Sequence, residues 1–457
     1  MKVVARIGPI AVGALALAAA ACAPAEPTVS APDREQVVAL RSAPPAPTAA
    51  YPNTRLGELI ESTPTSIGGE RLNVDLLKRF YGRHGFAPVW TTRESQANAL
   101  IDAVMRAGNH GLPPELFHAN LLRSSATLPA LDRELLLSDA FLSYADALAR
   151  GAMPIERRRD DEVLAPAPVD VVAALDVAID SSDPAAVIES LAPTTPTYQL
   201  LREALQDKTA PTRLREIAVN LERERWLPRR LPADRVWVNV ADQRVVMYRN
   251  DRPVFSTRVI IGQTDRRNQT PEFQASIDAI WFNPPWTVPD DISTNEILPK
   301  TRNDPNYLAK HNLVMLPNGA LQQRAGAYSA LGHLMFDMNN RFDVYLHDTP
   351  SKDLFLRDNR RISHGCIRVE KLRELAALVT QQPIDAIDQA IATGNTVRSA
   401  LPKPVPVFVV YETAFADADG KVQFRADVYG RDAEIWQSLT PKGRAVAQRP
   451  TPDQRGR

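Results

Sequence analysis

The fold and the chemistry of this chain are best predicted from one stretch, Arg361-Ile362-Ser363-His364-Gly365-Cys366-Ile367-Arg368-Val369. It contains one of the two cysteines in the sequence, and Ser363 and His364 lie within three residues of that thiol. A second histidine, His347, ends an apolar, strand-like run upstream. A lone thiol with nearby histidines can form a thiolate nucleophile. The alternative is a buried, inert cysteine, which is the commoner fate of a lone thiol.

Two histidines are candidates for the base that would activate Cys366. His364 is held close to the cysteine by the local backbone, which limits its approach to the sulfur, whereas His347 could lie across the site. Gly365 permits a positive φ or a close backbone approach, and nearby backbone N–H groups are natural donors to an oxyanion. A helix predicted to begin near Glu370 would favour the thiolate through its N-terminus. These residues support a thiol nucleophile and leave the substrate open.

The composition is that of a globular protein with a large core. The chain has 457 residues, of which 44% are hydrophobic and 24% charged, and this length predicts about three domains. Lys+Arg and Asp+Glu both number 54, so no basic field indicates nucleic acid, and we expect no such partner. The histidine and cysteine spacings match no metal motif, so we expect no metal and no other cofactor.

The start of the chain, residues 1–22, is predicted to be an export signal. Two basic residues precede Ile7 to Ala21, an apolar run that is too short for a membrane span. The small residues before Cys22 resemble a bacterial lipoprotein signal, although Ala19 stands where leucine is usual. Ordinary signal-peptidase cleavage and an uncleaved anchor are the alternatives. We favour lipidation of Cys22 and expect a periplasmic protein that is anchored to a membrane by this lipid. Of the two membranes, we favour the outer one.

The next two segments differ in composition. Residues 23–52 are rich in alanine and proline and are predicted to be a tether. Residues 53–212 show apolar residues at helical spacing, which predicts a domain of packed helices. The clearest helical stretches are Leu76–Tyr81, Leu100–Met105, Leu135–Leu148, Val171–Ile179 and Tyr198–Leu205.

Residues 213–430 are predicted to form a mainly β domain. After an amphipathic helix at Arg213–Trp226 the apolar period switches to two, which predicts a β-meander. The predicted strands are Val236–Val240, Val245–Tyr248, Val254–Ile261, Phe273–Phe282, Phe342–His347, Val405–Thr413 and Val422–Tyr429. Residues 284–341 are too long for a simple loop and are predicted to be an inserted subdomain or lid, in which Trp286 could stack on a ligand or simply pack. Residues 431–457 are predicted to be a tail.

The motif Ser363-His364-Gly365-Cys366-Ile367-Arg368, with His347 separated from it by residues 348–362, closely resembles the signature of the L,D-transpeptidases of bacterial peptidoglycan synthesis. Further segments resemble the large Gram-negative branch of that family: Tyr345–Pro350, Leu354-Phe355, Leu221–Pro228, Asn283–Pro289 and Pro406–Tyr411. The resemblance implies an α+β multidomain protein. A helical N-terminal scaffold domain would precede a β-sandwich-like catalytic domain, and residues 284–341 would be a capping subdomain.

The resemblance also implies a reaction. Cys366 would attack the third-residue carbonyl of a donor stem tetrapeptide and release D-alanine, and an amine would then take the acyl group to give a 3→3 cross-link. His347 would be the base, oriented by the backbone carbonyl of Asp348. Arg368 would fix the loop or bind a substrate carboxylate, unless it forms a structural ion pair. His364, Gly365 and Cys366 would shape the oxyanion hole, with Ser363 supporting the site. Tyr345 and Trp286 would contact the substrate.

Several alternatives stay open on the sequence. The acceptor could be a second stem peptide, water in a carboxypeptidase, or an amine of an outer-membrane protein, and a non-catalytic scaffold that binds peptidoglycan is a further possibility. We expect a monomer whose only contact with the membrane is its lipid anchor. The sequence departs from the branch in two places. The usual peptidoglycan-binding repeat is expected to be missing, and Met335–Asn340 differs from the family pattern.

Overall fold

The computed structural model describes residues 55–61, 66–207 and 213–440. The predicted export signal 1–22, with Cys22, and the predicted tether 23–52 lie outside these residues. Within the described ranges, no helix combines the length and the hydropathy needed to cross a bilayer.

The N-terminal region is helical, as predicted. Its helices are α1 (Arg55–Glu61), α2 (Val74–Arg83), α3 (Glu94–Met105), α4 (Ala119–Leu122), α5 (Ala130–Arg150), α6 (Val171–Asp180), α7 (Pro184–Glu189), α8 (Pro196–Gln206) and α9 (Leu214–Glu224), and its hairpin strands are β1 (Ser66–Ile67) and β2 (Glu70–Arg71). Each of the five predicted helical stretches lies within one of these helices. The longest helix, α5, is buried over most of its length, so the other helices pack around it.

The remaining elements build the β domain. The strands are β3 (Arg235–Asn239), β4 (Arg244–Arg249), β5 (Arg252–Gly262), β6 (Phe273–Phe282), β7 (Trp286–Thr287), β8 (Leu313–Met315), β9 (Leu321–Gln323), β10 (Leu334–Met338), β11 (Leu346–His347), β12 (Arg361–Ser363), β13 (Ile367–Val369), β14 (Val397–Val410), β15 (Ala414–Ala416) and β16 (Val422–Phe424). The helices are α10 (Asp290–Ile292), α11 (Leu298–Thr301), α12 (Tyr307–Lys310), α13 (Leu372–Thr380), α14 (Ile384–Ala392) and α15 (Asp432–Ser438).

Nine strands form one sheet in the order β12-β5-β13-β11-β10-β6-β14-β3-β4. Because β4 also pairs with β5, the pairing closes on itself around an apolar core. Helix α13, which begins two residues after the predicted start near Glu370, contributes Leu372, Leu375 and Val379 to this core. The architecture is therefore a helical region followed by a mainly β domain, in agreement with the predicted fold class.

The inserted segment is shorter than predicted. Strands β7, β9 and β8 form a separate three-stranded sheet with its own apolar cluster. Strand β10, however, pairs with β6 and β11 in the central sheet, although it lies inside the range 284–341 predicted for the subdomain. The insertion with its own sheet therefore ends before Leu334. Strand β10 itself has alternating buried residues, but the polar, irregular sequence before it hides this strand pattern.

Two further predictions about this domain need correction. Strand β11 covers only the last two residues of the predicted strand Phe342–His347, since Asp343 has a φ of 52° that interrupts extended backbone. The predicted tail 431–457 is wrong for its described part, residues 431–440. There α15 packs against the core, with Ile435 and Leu439 fully buried.

Helix α9 joins the helical region to the β domain. The amide of Asn220 donates to Thr413 Oγ1 at 2.7 Å and accepts from the Thr413 N–H at 3.0 Å. The buried guanidinium of Arg223 lies 2.7 Å from the carboxylate of Asp432 in α15. Apolar packing is continuous across this contact, because Phe408 and Val410 of β14 belong to the same buried cluster as the helices. The two regions therefore share a core.

A pair of buried carboxyl groups lies at the same contact. Glu224, at the end of α9, and Glu412, just after β14, are hydrogen-bonded to each other and almost fully buried. Burial raises the pKa of both groups, and the neighbouring carboxyl raises the pKa of Glu412 well above its ordinary value. At neutral pH the pair therefore holds a proton that the unfolded chain releases.

This pair should make the free energy of unfolding depend on pH. A raised folded-state pKa contributes stability that is present below the unfolded value and is lost as the pH rises toward the folded value, by up to about 1.4 kcal/mol per pH unit. Glu412→Gln should reduce this loss between pH 5 and 8, as measured by chemical denaturation; Glu162, whose pKa burial raises to about 7, contributes to the slope that remains. The exposed Glu203→Gln is the matched control and should keep the wild-type slope; equal slopes for both variants would contradict the assignment.

Candidate active site

Two adjacent strands bring the predicted cysteine and histidine to one face of the sheet. Strand β11 runs parallel to β13, with Leu346 opposite Ile367 and His347 opposite Arg368. Leu346 and Ile367 are fully buried in the core. Because side chains alternate along a strand, His347 and Arg368 face the other side, together with Cys366, which is two residues before Arg368.

His347 is buried and has one ring nitrogen engaged. Its Nδ1 lies 2.7 Å from the backbone carbonyl of Asp348. A carbonyl can only accept, so Nδ1 carries the proton and Nε2 keeps a lone pair. Burial, reinforced by the charge of Arg368, lowers the pKa of His347 to about 4. The imidazole is therefore neutral at physiological pH and can take up a proton.

Cys366 is half-buried, and its Sγ lies 3.7 Å from the carbonyl of Asp343. Burial raises the pKa of this thiol, while a backbone hydrogen bond from Tyr345 and the charge of Arg368 act in the opposite direction. The resting group is therefore a thiol. A thiol of this kind needs a base at the moment it reacts.

Hydrogen bonds brace the loop that carries Cys366. The hydroxyl of Ser363 donates to the Cys366 carbonyl at 2.6 Å and accepts from the Gly365 N–H at 3.2 Å. Gly365 has a φ of 111°, which a residue with a Cβ rarely adopts. The Gly365 N–H is occupied, whereas the Cys366 N–H has no acceptor among the described residues and is available as an oxyanion donor.

The carboxylate of Asp348 faces away from His347. It accepts from Lys352 Nζ at 2.5 Å and from the His333 N–H at 3.1 Å. A Cβ on Gly332 would overlap this carboxylate, so glycine is required for the close approach. Asp348 thus acts on His347 through its backbone, while its side chain fixes the surrounding loops.

The other predicted site residues lie in different surroundings. Arg368 has an Nε without a partner in the described part of the chain, and no carboxylate there pairs with it, so the structural ion pair is not observed. His364 reaches Glu296 in the insertion, with Nε2 and Oε1 2.6 Å apart. Trp286 packs against the insertion's own apolar cluster, and Tyr345 is half-buried beside Cys366. No group of metal-ligating side chains occurs in residues 55–440 where the structure is described.

Sequence reasoning missed the residues that hold the Cys366 loop from behind. Thr270 is fully buried; its Oγ1 donates to the Gly365 carbonyl at 2.8 Å and accepts from the Gly262 N–H at 2.9 Å. Tyr429 supports the same point through its hydroxyl, which donates to the Gly262 carbonyl at 2.7 Å. A single sequence carries no signal for contacts between positions this far apart.

Behind Thr270 lies the fully buried Arg431. Its guanidinium contacts Glu272 at 2.8 Å, Asp161 at 2.6 Å and the Thr270 carbonyl at 3.3 Å. Asp161 belongs to the helical region, whereas the other three residues belong to the β domain. A buried charge network thus links the helical region to the loop that carries the thiol.

Family models identify both regions. A model described as the L,D-transpeptidase catalytic domain matches residues 233–407. Residues 233–407 therefore match the catalytic domain of the L,D-transpeptidases. A second model, described as a scaffold domain, matches residues 75–205. Both matches lie inside the predicted ranges 213–430 and 53–212, whose outer boundaries stay predictions.

Individual proteins are also similar to this chain. Over 401 residues it is 26% identical to a Haemophilus influenzae protein provisionally named as an L,D-transpeptidase, and 81% of each chain is covered. Two solved structures are similar at 12% identity: a cysteine-to-serine variant of the Enterococcus faecium L,D-transpeptidase and the avibactam carbamoyl enzyme of Ldtfm. Each covers 39% of this chain and about half of its own, with a TM-score of 0.21.

Thr270 offers a test of the loop support. Thr270→Val keeps the shape of the side chain but removes both hydrogen bonds, which costs about 1–3 kcal/mol for unsatisfied buried groups. The rate of Cys366 alkylation by iodoacetamide, followed by peptide mass spectrometry, should change by roughly tenfold at pH 7. Thr270→Ser restores the hydroxyl and should restore the wild-type rate. Equal rates in all three proteins would show that the hydroxyl does not position the loop.

Proposed function

We propose that this chain is a peptidoglycan L,D-transpeptidase in which Cys366 is the nucleophile and His347 the general base. The supporting observation is the state of His347, a buried, neutral imidazole whose Nδ1 donates its proton to the Asp348 carbonyl. His347 lies on β11, which pairs with β13, the strand that follows Cys366. Its free Nε2 faces the side of the sheet where the thiol lies. This arrangement suits proton transfer within a neutral thiol–imidazole pair.

The first half-reaction forms an acyl-enzyme. Nε2 of His347 removes the Cys366 proton as Sγ attacks the third-residue carbonyl of a donor stem tetrapeptide. The Cys366 N–H donates to the oxyanion that develops, and the positive charge of Arg368 stabilises negative charge nearby. When the intermediate collapses, the carbon–nitrogen bond breaks and His347 gives its proton to the departing D-alanine. A thioester on Cys366 remains.

The second half-reaction transfers the acyl group. A primary amine of another stem attacks the thioester carbonyl and loses a proton to His347. The carbon–sulfur bond breaks, the proton passes to Sγ, and the new amide is a 3→3 cross-link. Water in place of the amine would give a carboxypeptidase, and a protein amine would give attachment of an outer-membrane protein.

The remaining site residues have supporting parts in this proposal. Ser363 and Gly365 set the shape of the Cys366 loop, and Asp348 orients His347 through its carbonyl. His364 ties the loop to the insertion through Glu296. Arg368 is available for a substrate carboxylate, whereas the packing of Trp286 in the insertion gives no support for a role in stacking on substrate.

The site of action is part of the same proposal. An exported, periplasmic protein that is lipid-anchored through Cys22 would meet peptidoglycan stem peptides directly, and the signal-like residues 1–22 support that location. Labelling with radioactive palmitate in cells would show the anchor, and Cys22→Ser should lose both the label and the membrane fraction. Label that persists in Cys22→Ser would place the lipid elsewhere.

The nucleophile can be tested without a native substrate. Incubation with a carbapenem should add one covalent adduct to the wild type, seen by intact-protein mass spectrometry, and Cys366→Ala should show none. Muropeptide analysis with tetrapeptide stems should then show 3→3 dimers. These dimers distinguish a transpeptidase from a carboxypeptidase, because hydrolysis does not form them. A folded wild-type protein that forms no adduct would contradict the proposed function, and so would cellular complementation by Cys366→Ala.

The base can be tested by its pH dependence. Because the pKa of His347 is lowered to about 4, the carbapenem acylation rate should stay level down to about pH 5 and fall as the pH passes through 4. His347→Asn keeps a donor for the Asp348 carbonyl but lacks Nε2, so the rate should drop by about 10²–10⁴. A midpoint near the ordinary histidine value, about 6.5, would contradict a buried, neutral base.

A further inference from the structure

A cleft of about 260 Å³ opens beside the Cys366 loop and is shared by two parts of the chain. One wall carries Asp160 and Asp161 of the helical region. The other carries Arg266 and Arg267 from the loop between β5 and β6. Gly365, which precedes the nucleophile, lines the cleft as well. The cleft is therefore next to Cys366, although Cys366 is not one of its lining residues.

The side of the cleft nearest the thiol comes from the segment before β11. Phe342 and Val344 both line it. Asp343 lies between them, and its carbonyl is the atom 3.7 Å from Cys366 Sγ. A ligand group held in the cleft is thus within a short distance of the acyl group that Cys366 would carry.

The walls are held in place by contacts between the two regions. Arg341 of the β domain donates to the backbone carbonyl of Asp160. The side chain of Asp161 is paired with the buried Arg431 at 2.6 Å. Gln269, also in the lining, donates to the Thr264 carbonyl at 2.9 Å and is almost fully buried. The cleft is therefore a packed feature of the structure.

Charges of both signs remain free in this cleft. Asp161 is neutralised by Arg431, but the carboxylate of Asp160 and the guanidinium groups of Arg266 and Arg267 have no ionic partner among the described residues. All three side chains are on exposed residues. A ligand that suits such a lining carries a carboxylate and an ammonium group close together.

We propose that this cleft binds the acceptor amine, and that it selects a primary amine whose carbon also bears a carboxylate. Arg266 and Arg267 bind the carboxylate, and Asp160 attracts the ammonium form as the ligand approaches. The volume suits the end of one amino-acid side chain rather than a whole stem. This inference rests on the proposed function, and it makes the helical region part of the acceptor site.

Binding in the cleft changes no covalent bond. The ammonium group releases one proton to solvent before reaction, and the free amine then forms the carbon–nitrogen bond as described above. The arginines act by holding the neighbouring carboxylate, so their effect should appear in the KM for the acceptor.

The test compares two acceptors with the full chain and one donor tetrapeptide. One acceptor is a tripeptide stem ending in meso-diaminopimelate, whose side-chain amine has a carboxylate on the same carbon; the other ends in lysine, which lacks that carboxylate. We expect the wild-type KM to be lower for the first by about fivefold or more. In the double variant Arg266→Gln, Arg267→Gln this ratio should fall to about one, and Asp160→Asn should raise both KM values.

The controls are charge changes outside the cleft. Arg252→Gln on β5 and Asp102→Asn on α3, both at exposed positions, should keep the wild-type KM ratio. A ratio that is the same in the wild type and the double variant overturns the inference. If the double variant is acylated more slowly by the donor but keeps the wild-type KM ratio of the two acceptors, the cleft binds the donor, and the inference is overturned as well. A wild type that releases no D-alanine with either acceptor instead refutes the proposed function itself.

Discussion

The chemistry proposed for this protein depends on the register between two very short strands. Leu346 must pair with Ile367 for His347 to face the same side as Cys366 and Arg368. A shift by one residue would send the imidazole into the apolar core and turn Leu346 toward the thiol. The core itself prevents this, because Leu346, Ile367 and Val369 are fully buried on the opposite face. Hydrophobic packing therefore sets the alignment of the reacting groups.

The second constraint is electrostatic. Arg431 is fully buried, and a buried cation is tolerated only when carboxylates and hydrogen bonds compensate it. Its partners Asp161 and Glu272 come from both regions of the chain, and its contact with Thr270 leads on to Gly365. The helical region is therefore more than an appended domain: removing Asp161 would take away one of the carboxylates that compensate Arg431, behind the loop that carries Cys366.

Local patterns predicted most of the helices and the main strands. The stripe Leu76–Tyr81 and the meander beginning at Val236 became the expected elements, because each buries one face at a regular period. The failures arise where local pattern and tertiary contact disagree. Strand β10 and helix α15 are short, and they are stabilised by the sheet and core around them rather than by their own propensity.

The candidate site likewise has residues that could be predicted from local sequence and residues that could not. The cysteine motif and His347 could be singled out because their chemistry and spacing are local, and both lie within the residues matched by the catalytic-domain model. The supporting residues could not. Thr270 is 95 residues from Gly365, and Arg431 is 270 residues from Asp161. Nothing in a single sequence indicates which buried threonine or arginine will meet a given loop.

The position of β12 in the sheet has a mechanical consequence. This strand, Arg361–Ser363, leads directly into the Cys366 loop and, in the described structure, pairs on one side only, with β5. The segment before Cys366 is thus attached at the edge of the sheet, while the segment after it, β13, is paired on both sides. Cys366 lies between a strand that is paired on one side and a strand that is paired on both sides. Displacement caused by an arriving substrate would be absorbed upstream of the sulfur, and the alignment with the imidazole would be preserved.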